Sequence, residues 1–234
     1  MSDAPDTPDL PASGPVRQPL LTWALIAASV AVAVASNAGA KKDVLTWLTF
    51  TDLRMWLDLQ EHERTVMAGF DSILGGQVWR LVTPIFIHFG LLHLLFNMMW
   101  MKDLGELIQR RWSAFTLGAL VLVSGVLSNV AQFIVNWDLQ SGVRWANTYS
   151  GGMSGVVYCL LGYVWIRGRF DPAAGLKLHP QTVFMMLAWL VVCTGALGHI
   201  GNSAHATGLL VGVVAGWLAA RSSAARLASE DSGR

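Results

Sequence analysis

The chain has 234 residues, 53% of them hydrophobic and only 13% charged, with a mean hydropathy of +0.47 and a formal net charge of +1. A soluble domain carries about a quarter charged residues, so the composition argues against an ordinary water-soluble globule. The near-neutral charge, with no basic cluster interleaved with aromatics, gives no reason to expect nucleic acid as a partner.

The N-terminal stretch is rich in Pro, Asp and Ser and reads as a disordered tail over residues 1–18. It lacks the basic start and prompt apolar run of a signal peptide, so the first apolar segment is expected to be retained. Residues 18–40, 81–101, 112–137, 145–166 and 178–220 contain no Lys, Arg, Asp or Glu. A membrane-spanning helix needs about 20 mainly apolar residues, so the first four stretches fit one span each. The fifth is 43 residues long and fits two, joined by a turn near Gly198, Gly201, Asn202 and Ser203. The expected fold class is an all-α membrane protein with six transmembrane helices. Its membrane domain covers residues 19–221, and a C-terminal tail covers 222–234.

Between spans 1 and 2, residues 41–80 mix Trp47, Trp56, Leu57, Leu59, Val66, Met67 and Phe70 with Asp, Glu and Arg. That mixture suits short amphipathic elements lying in the outer interface. Pro84 and Gly90 interrupt the next apolar run, which starts the second span near Leu91 and ends it near Arg110, with Lys102, Glu106 and Arg110 at its inner end. In the fourth span, Gly151 and Gly152 set a helix start near Met153, and charge resumes at Arg167. The 13 residues between cover roughly 20 Å of a hydrocarbon core about 30 Å thick. If the inner end reaches the interface, the end carrying Ser154 is submerged, and the loop over 138–152 must dip to meet it. Irregular backbone at that depth is tolerated only where it is buried in protein or lines a water-filled cavity.

With the N-terminus inside, ten Lys and Arg fall on inner segments and six on outer ones. The positive-inside rule then favours cytoplasmic placement of both termini. Trp79, Trp112, Trp137, Trp165 and Trp217 lie near span ends, as interfacial anchors do. Cys159 and Cys193 lie in apolar helical stretches and read as small core residues rather than a disulfide.

Chemistry concentrates in three places. Ser154 stands in Gly151-Gly152-Met153-Ser154-Gly155-Val156-Val157-Tyr158. A serine at a helix start is more often a cap than a nucleophile, and Val156 replaces the second glycine of a hydrolase elbow. A nucleophilic serine needs a base, and His205 is the best-placed candidate. Spans 4 and 6 run in the same direction, and Ser154 and His205 both lie near their outer ends. Ala204, Gly208, Gly212 and Gly216 repeat every four residues, a small-residue stripe that lets membrane helices approach closely. On span 4, Ser154, Tyr158 and Gly162 make a matching stripe. The bland alternative is a packing stripe with His205 hydrogen-bonded inside. His93 and Asn97 share one face of span 2. They could donate hydrogen bonds to a developing oxyanion together with the Ser154 backbone N–H, or simply glue helices together. No Asp or Glu lies deep in a span, so a serine hydrolase here would use a dyad. There is no His-Glu-x-x-His for zinc either.

Trp79-Arg80, His88, His93-x3-Asn97, Gly152-Met153-Ser154-Gly155 with Tyr158, and Ala204-His205-x2-Gly208 together resemble the rhomboid intramembrane serine proteases, in their compact six-helix bacterial form. The resemblance runs from about residue 77 to 217. It implies a six-helix rhomboid-like bundle in the bacterial inner membrane, with an interfacial loop between helices 1 and 2. The implied activity is endopeptidase cleavage of transmembrane segments of other proteins through an acyl-enzyme, with no cofactor and no metal. Ser154 would be the nucleophile and His205 the base, with Tyr158 packed on the imidazole. His93 and Asn97 would line the oxyanion hole, and His88 would hold water near the site. The fifth span and the loop after it would form a lateral gate and cap. Gln109 departs from the family pattern, which often has Glu at the inner end of helix 2, and this touches a structural contact rather than the chemistry. A silent rhomboid-like chaperone would lack the Ser or the His. A transporter would show an intramembrane carboxylate or an inverted repeat, and neither is seen.

Overall fold

A computed structural model describes residues 18–52, 68–135, 150–176, 178–195 and 202–232. All regular structure among them is helical: α1 (Leu20–Ala35), α2 (Lys42–Leu48), α3 (Ala68–Leu74), α4 (Leu91–Arg111), α5 (Ala114–Val135), α6 (Ser154–Phe170), α7 (Pro180–Gly195) and α8 (Asn202–Ser232), with single 3-10 turns at Val78–Leu81, Thr83–Phe86 and Pro172–Ala174. The expected N-terminal tail through Arg17, the 138–149 part of the dipping loop and the turn at Gly198 and Gly201 lie outside the described residues. So do Trp56, Leu57, Leu59, Val66, Met67, Trp137 and the side chain of Cys193.

By length and composition, α5 and the Asn202–Glu230 part of α8 can cross a membrane, while α1 and Pro180–Val192 of α7 are shorter apolar helices. Large apolar side chains face outward all around them: Phe115 is 85% exposed and Phe184 72%. A soluble monomer rarely exposes apolar surface on this scale; a lipid-facing one must.

The core is built around α6. Every residue from Gly155 to Val164 is buried, which is the pattern of a helix enclosed on all sides. Its most extensive partner is α8, and α4 and α5 close the remaining faces. The apolar part, Ser154 to Ile166, has the expected 13 residues, but the helix continues to Phe170. It does so because Arg167 stays inside the protein: its guanidinium donates to the Tyr163 hydroxyl at 2.6 Å and stacks over Trp112 at 4.3 Å.

The α6–α8 contact is backbone on backbone. A Cβ at Gly208 would run into the Gly155 carbonyl group, one at Gly212 into that of Cys159, and one at Gly216 would lie 2.7 Å from the Tyr163 oxygen. The stripe on α8 is therefore the expected one. On α6 the facing row is Gly155, Cys159 and Tyr163, one residue on from Ser154, Tyr158 and Gly162, although Gly162 also approaches α8 through Leu209 O and Val213 N. The reason is steric. A Cβ on the α8 glycines would meet the α6 backbone, so no side chain fits there, while Ser154 and Tyr158 lie beside the row on α6.

Elsewhere, two polar ties fix the frame. Arg80 is fully buried and donates to the carbonyls of Thr46 at 2.7 Å and Thr49 at 2.8 Å, to Gln77 Oε1 at 2.7 Å and to Asp52 at 3.2 Å. It thereby gathers the described parts of the α1–α4 connection. Gln109, whose partner the sequence left in doubt, does make a contact. Its Oε1 accepts from Thr22 N–H and Thr22 Oγ1–H, both at 2.9 Å, and its amide donates to Gln18 O at 3.2 Å. A neutral amide on α4 thus caps the first turn of α1. Gln109→Leu would leave the buried Thr22 donors unpaired, a cost of about 1–3 kcal/mol. A lowered thermal unfolding midpoint is the expected result, with Gln109→Glu losing less because it keeps the acceptor. An unchanged midpoint in the Leu variant would mean that the cap contributes nothing.

Candidate active site

Ser154 is the first residue of α6. The chain reaches it through Gly152, whose φ of +129° excludes ordinary side chains. Gly152 N–H donates to Pro84 O at 3.0 Å, and Met153 N–H to His88 Nε2 at 3.5 Å. His88 is fully buried, and its other nitrogen donates to Phe86 O at 3.1 Å. These contacts assign the tautomer: Nδ1 carries the proton and Nε2 accepts. His88 thus ties the Thr83–Phe86 turn to the approach to Ser154.

On the facing helix, His205 occupies the first turn of α8. Its Nε2 lies 2.7 Å from Ser154 Oγ. With the hydroxyl donating to Nε2, the neutral ring carries its proton on Nδ1. That buried atom has no hydrogen-bond partner among the described residues. The Tyr158 ring instead covers the imidazole, centroids 5.0 Å apart and tilted by 35°. An aromatic face stabilises positive charge on such a ring.

His93 lies near the approach to the nucleophile, its ring 5.1 Å from that of His88. The Phe89 N–H donates to His93 Nδ1 at 3.3 Å, so Nε2 carries the proton and is a donor. A Cβ at Gly152 would fall 2.8 Å from His93 Nε2 and 3.8 Å from Ser154 Oγ. The absent side chain of Gly152 thereby keeps open a gap between serine and donor. Asn97 is buried one turn below, and its amide nitrogen donates to His93 O at 2.9 Å, leaving one amide hydrogen over.

Three further groups support this arrangement and escaped the sequence reading. Gln132 Oε1 on α5 accepts from Ser203 Oγ at 2.8 Å and from Ala204 N–H at 3.3 Å, capping the first turn of α8. Ser128 Oγ donates to Ala204 O at 3.0 Å. The residue beside His205 is thus held from both its amide and its carbonyl. The signal was present, since Ser124, Ser128 and Gln132 form a polar row at four-residue spacing in an apolar segment. The third group is the Met186 carbonyl of α7, which accepts from Tyr158 O–H at 2.9 Å. No sequence pattern points to a backbone atom on another helix. Among the described residues, no three His, Cys, Asp or Glu side chains could hold a metal ion together.

The family model for the Rhomboid domain matches residues 75–222, well over half of the chain. The chain belongs to the rhomboid family. It is also similar to the curated proteins described as rhomboid protease GlpG from Salmonella choleraesuis, Salmonella typhi and Salmonella newport, being 33% identical to each over 205 residues. Those alignments take in 86% of this chain and 62% of each relative, so the chain spans somewhat under two thirds of their length. As a rhomboid-family chain it holds Ser154 and His205 within hydrogen-bonding distance on its two most closely packed helices.

Proposed function

We propose that this rhomboid is an intramembrane serine endopeptidase that cleaves transmembrane segments of other membrane proteins. The observation that carries the reading is the 2.7 Å approach of His205 Nε2 to Ser154 Oγ. A buried histidine brought against a half-buried serine inside an apolar bundle is a functional feature by default. The relatives named as proteases add to it.

In this mechanism the Ser154 proton passes to His205 Nε2 as Oγ attacks the scissile carbonyl carbon. Negative charge on the carbonyl oxygen is met by His93 Nε2–H, the spare amide hydrogen of Asn97 and the Ser154 backbone N–H. His205 then gives its proton to the departing amine, leaving an ester on Ser154. Water attacks that ester with His205 again as base, releasing the new carboxylate and restoring the hydroxyl. While His205 is doubly protonated, the Tyr158 face takes the place of the missing carboxylate. His88 holds the approach to Ser154, and holding water near the site is proposed for it as well. No cofactor or metal takes part. In this reading α1, α4, α5, α6, α7 and α8 are the six spans of a bacterial inner-membrane protein with both termini in the cytoplasm. The 41–80 connection lies at the outer interface, and substrates meet the site from the lipid through the α7 side.

A fluorophosphonate probe tests the class directly. Expected is covalent labelling of the detergent-solubilised protein at Ser154, and none in Ser154→Ala. Labelling elsewhere, or none at all, would overturn the mechanism. Asn97 tests the oxyanion assignment. Its interaction is made with charge present only in the transition state, so Asn97→Ala should lower kcat by about 10²–10³ with little change in KM. An unchanged kcat would return Asn97 to a purely helix-internal role.

A further inference from the structure

At the end of the bundle opposite Ser154, the C-terminal turns of α4 and α6, the Pro172–Ala174 turn and the last third of α8 enclose an open cleft of about 340 Å³. Its wall holds three arginines, Arg111, Arg167 and Arg226, and one carboxylate, Asp171. Arg167 and Asp171 pair at 3.4 Å, and Arg167 is held further by the Tyr163 and Ser223 hydroxyls. That pair cancels. Arg111 is fixed differently, donating to the carbonyls of Ala174 at 2.8 Å and Ala173 at 3.1 Å. Neutral carbonyls orient its guanidinium without neutralising it, and Nη1 has no partner among the described residues. Among the described residues the Arg226 side chain hydrogen-bonds only Ser222 O in its own helix, at 3.3 Å, and it is exposed. Two positive charges therefore face the cleft unbalanced, one of them pre-oriented. Trp112 lies in the same wall, the amphipathic residue favoured at headgroup depth.

We infer that this cleft binds the phosphodiester of an anionic phospholipid headgroup in the cytoplasmic leaflet. A guanidinium fork matches two phosphate oxygens, and basic pockets between helices at the cytoplasmic face suit such headgroups. The placement in that leaflet rests on the membrane orientation proposed above; the charge and shape of the cleft do not. The lipid would clamp α4, the Pro172–Ala174 turn and α8 together at the end remote from the dyad.

The test uses the full chain, purified in detergent and stripped of lipid. Its unfolding midpoint is followed while dioleoylphosphatidylglycerol, dioleoylphosphatidylcholine or inorganic phosphate is added. The glycerol lipid should raise the midpoint by binding the folded state, while the choline lipid and free phosphate should not. Arg226→Gln removes no contact outside its own helix and should weaken the apparent affinity about fivefold, and Arg111→Gln with it about fivefold again. Arg110→Gln, outside the cleft and paired with Glu106 at 3.2 Å, should respond as the parent does. Equal responses to the two lipids, full affinity in the double variant, or equal weakening by Arg110→Gln would each overturn the site. A shift reproduced by inorganic phosphate would overturn its assignment to lipid. Fluorophosphonate labelling of Ser154 in every variant keeps the proteolytic reading separate, because it reports on the dyad whatever the cleft does.

Discussion

Ser154→Ala and His205→Ala are each expected to abolish cleavage of a transmembrane substrate, with losses on the order of a millionfold in kcat. The geometry explains why either suffices. Ser154 Oγ has His205 Nε2 at 2.7 Å, and among the described residues no carboxylate stands behind the imidazole to share the work. A hydroxyl without the base keeps its proton, and the base without the hydroxyl has nothing to activate. The double variant should therefore be no worse than either single one, the non-additivity expected of groups acting as a unit. Both side chains are small parts of a large α6–α8 contact, so the variants should insert and unfold much as the parent does. Steady-state cleavage of a purified substrate, with unfolding midpoints in parallel, decides the matter. Cleavage retained in a clean Ser154→Ala preparation would falsify the dyad.

Gly208→Val is expected to abolish the proposed proteolysis without touching a reacting atom. The first carbon of any side chain at position 208 would meet the Gly155 carbonyl, with the carbonyl carbon at 2.7 Å. Both partners are backbone, so neither can rotate away, and the helices must separate or tilt. Gly155 is covalently next to Ser154, and Gly208 is three residues after His205 on the same helix. The displacement is thus delivered to the dyad itself, where about 1 Å can cost roughly a hundredfold in rate. In an ordinary helix, replacing Gly by Ala is stabilising by about 0.5–1 kcal/mol; here even Gly208→Ala should destabilise, because the clash outweighs the propensity. Activity and unfolding midpoint measured on both variants separate the effects. Full activity in Gly208→Val would mean that the α6–α8 contact does not set the distance between serine and histidine.

Much of the candidate site is legible in the sequence, because polar residues are scarce in apolar segments and each one needs a reason. Ser154, His205, His93, Asn97 and the four-residue glycine repeat on α8 stand out against Leu, Val and Ala on scarcity and spacing alone. The membrane class follows from the same scarcity of charge, and the Leu91 start of α4 from Pro84 and Gly90. Tertiary structure decided what depends on two segments at once. Which row of α6 meets the glycine stripe is a matter of rotation about the helix axis. Periodicity leaves that rotation free; the Gly155–Gly208 backbone contact sets it, leaving Ser154 and Tyr158 beside the row. Gln109 reads as a lost carboxylate in sequence, and only the first turn of α1 against it reveals an amide serving as a cap. The hold of Ser128 and Gln132 on Ala204, and of Tyr158 on the Met186 carbonyl, involves backbone atoms, which every residue carries and no pattern marks. Residue identity tells what chemistry is available in an apolar chain; packing tells which groups are close enough to use it.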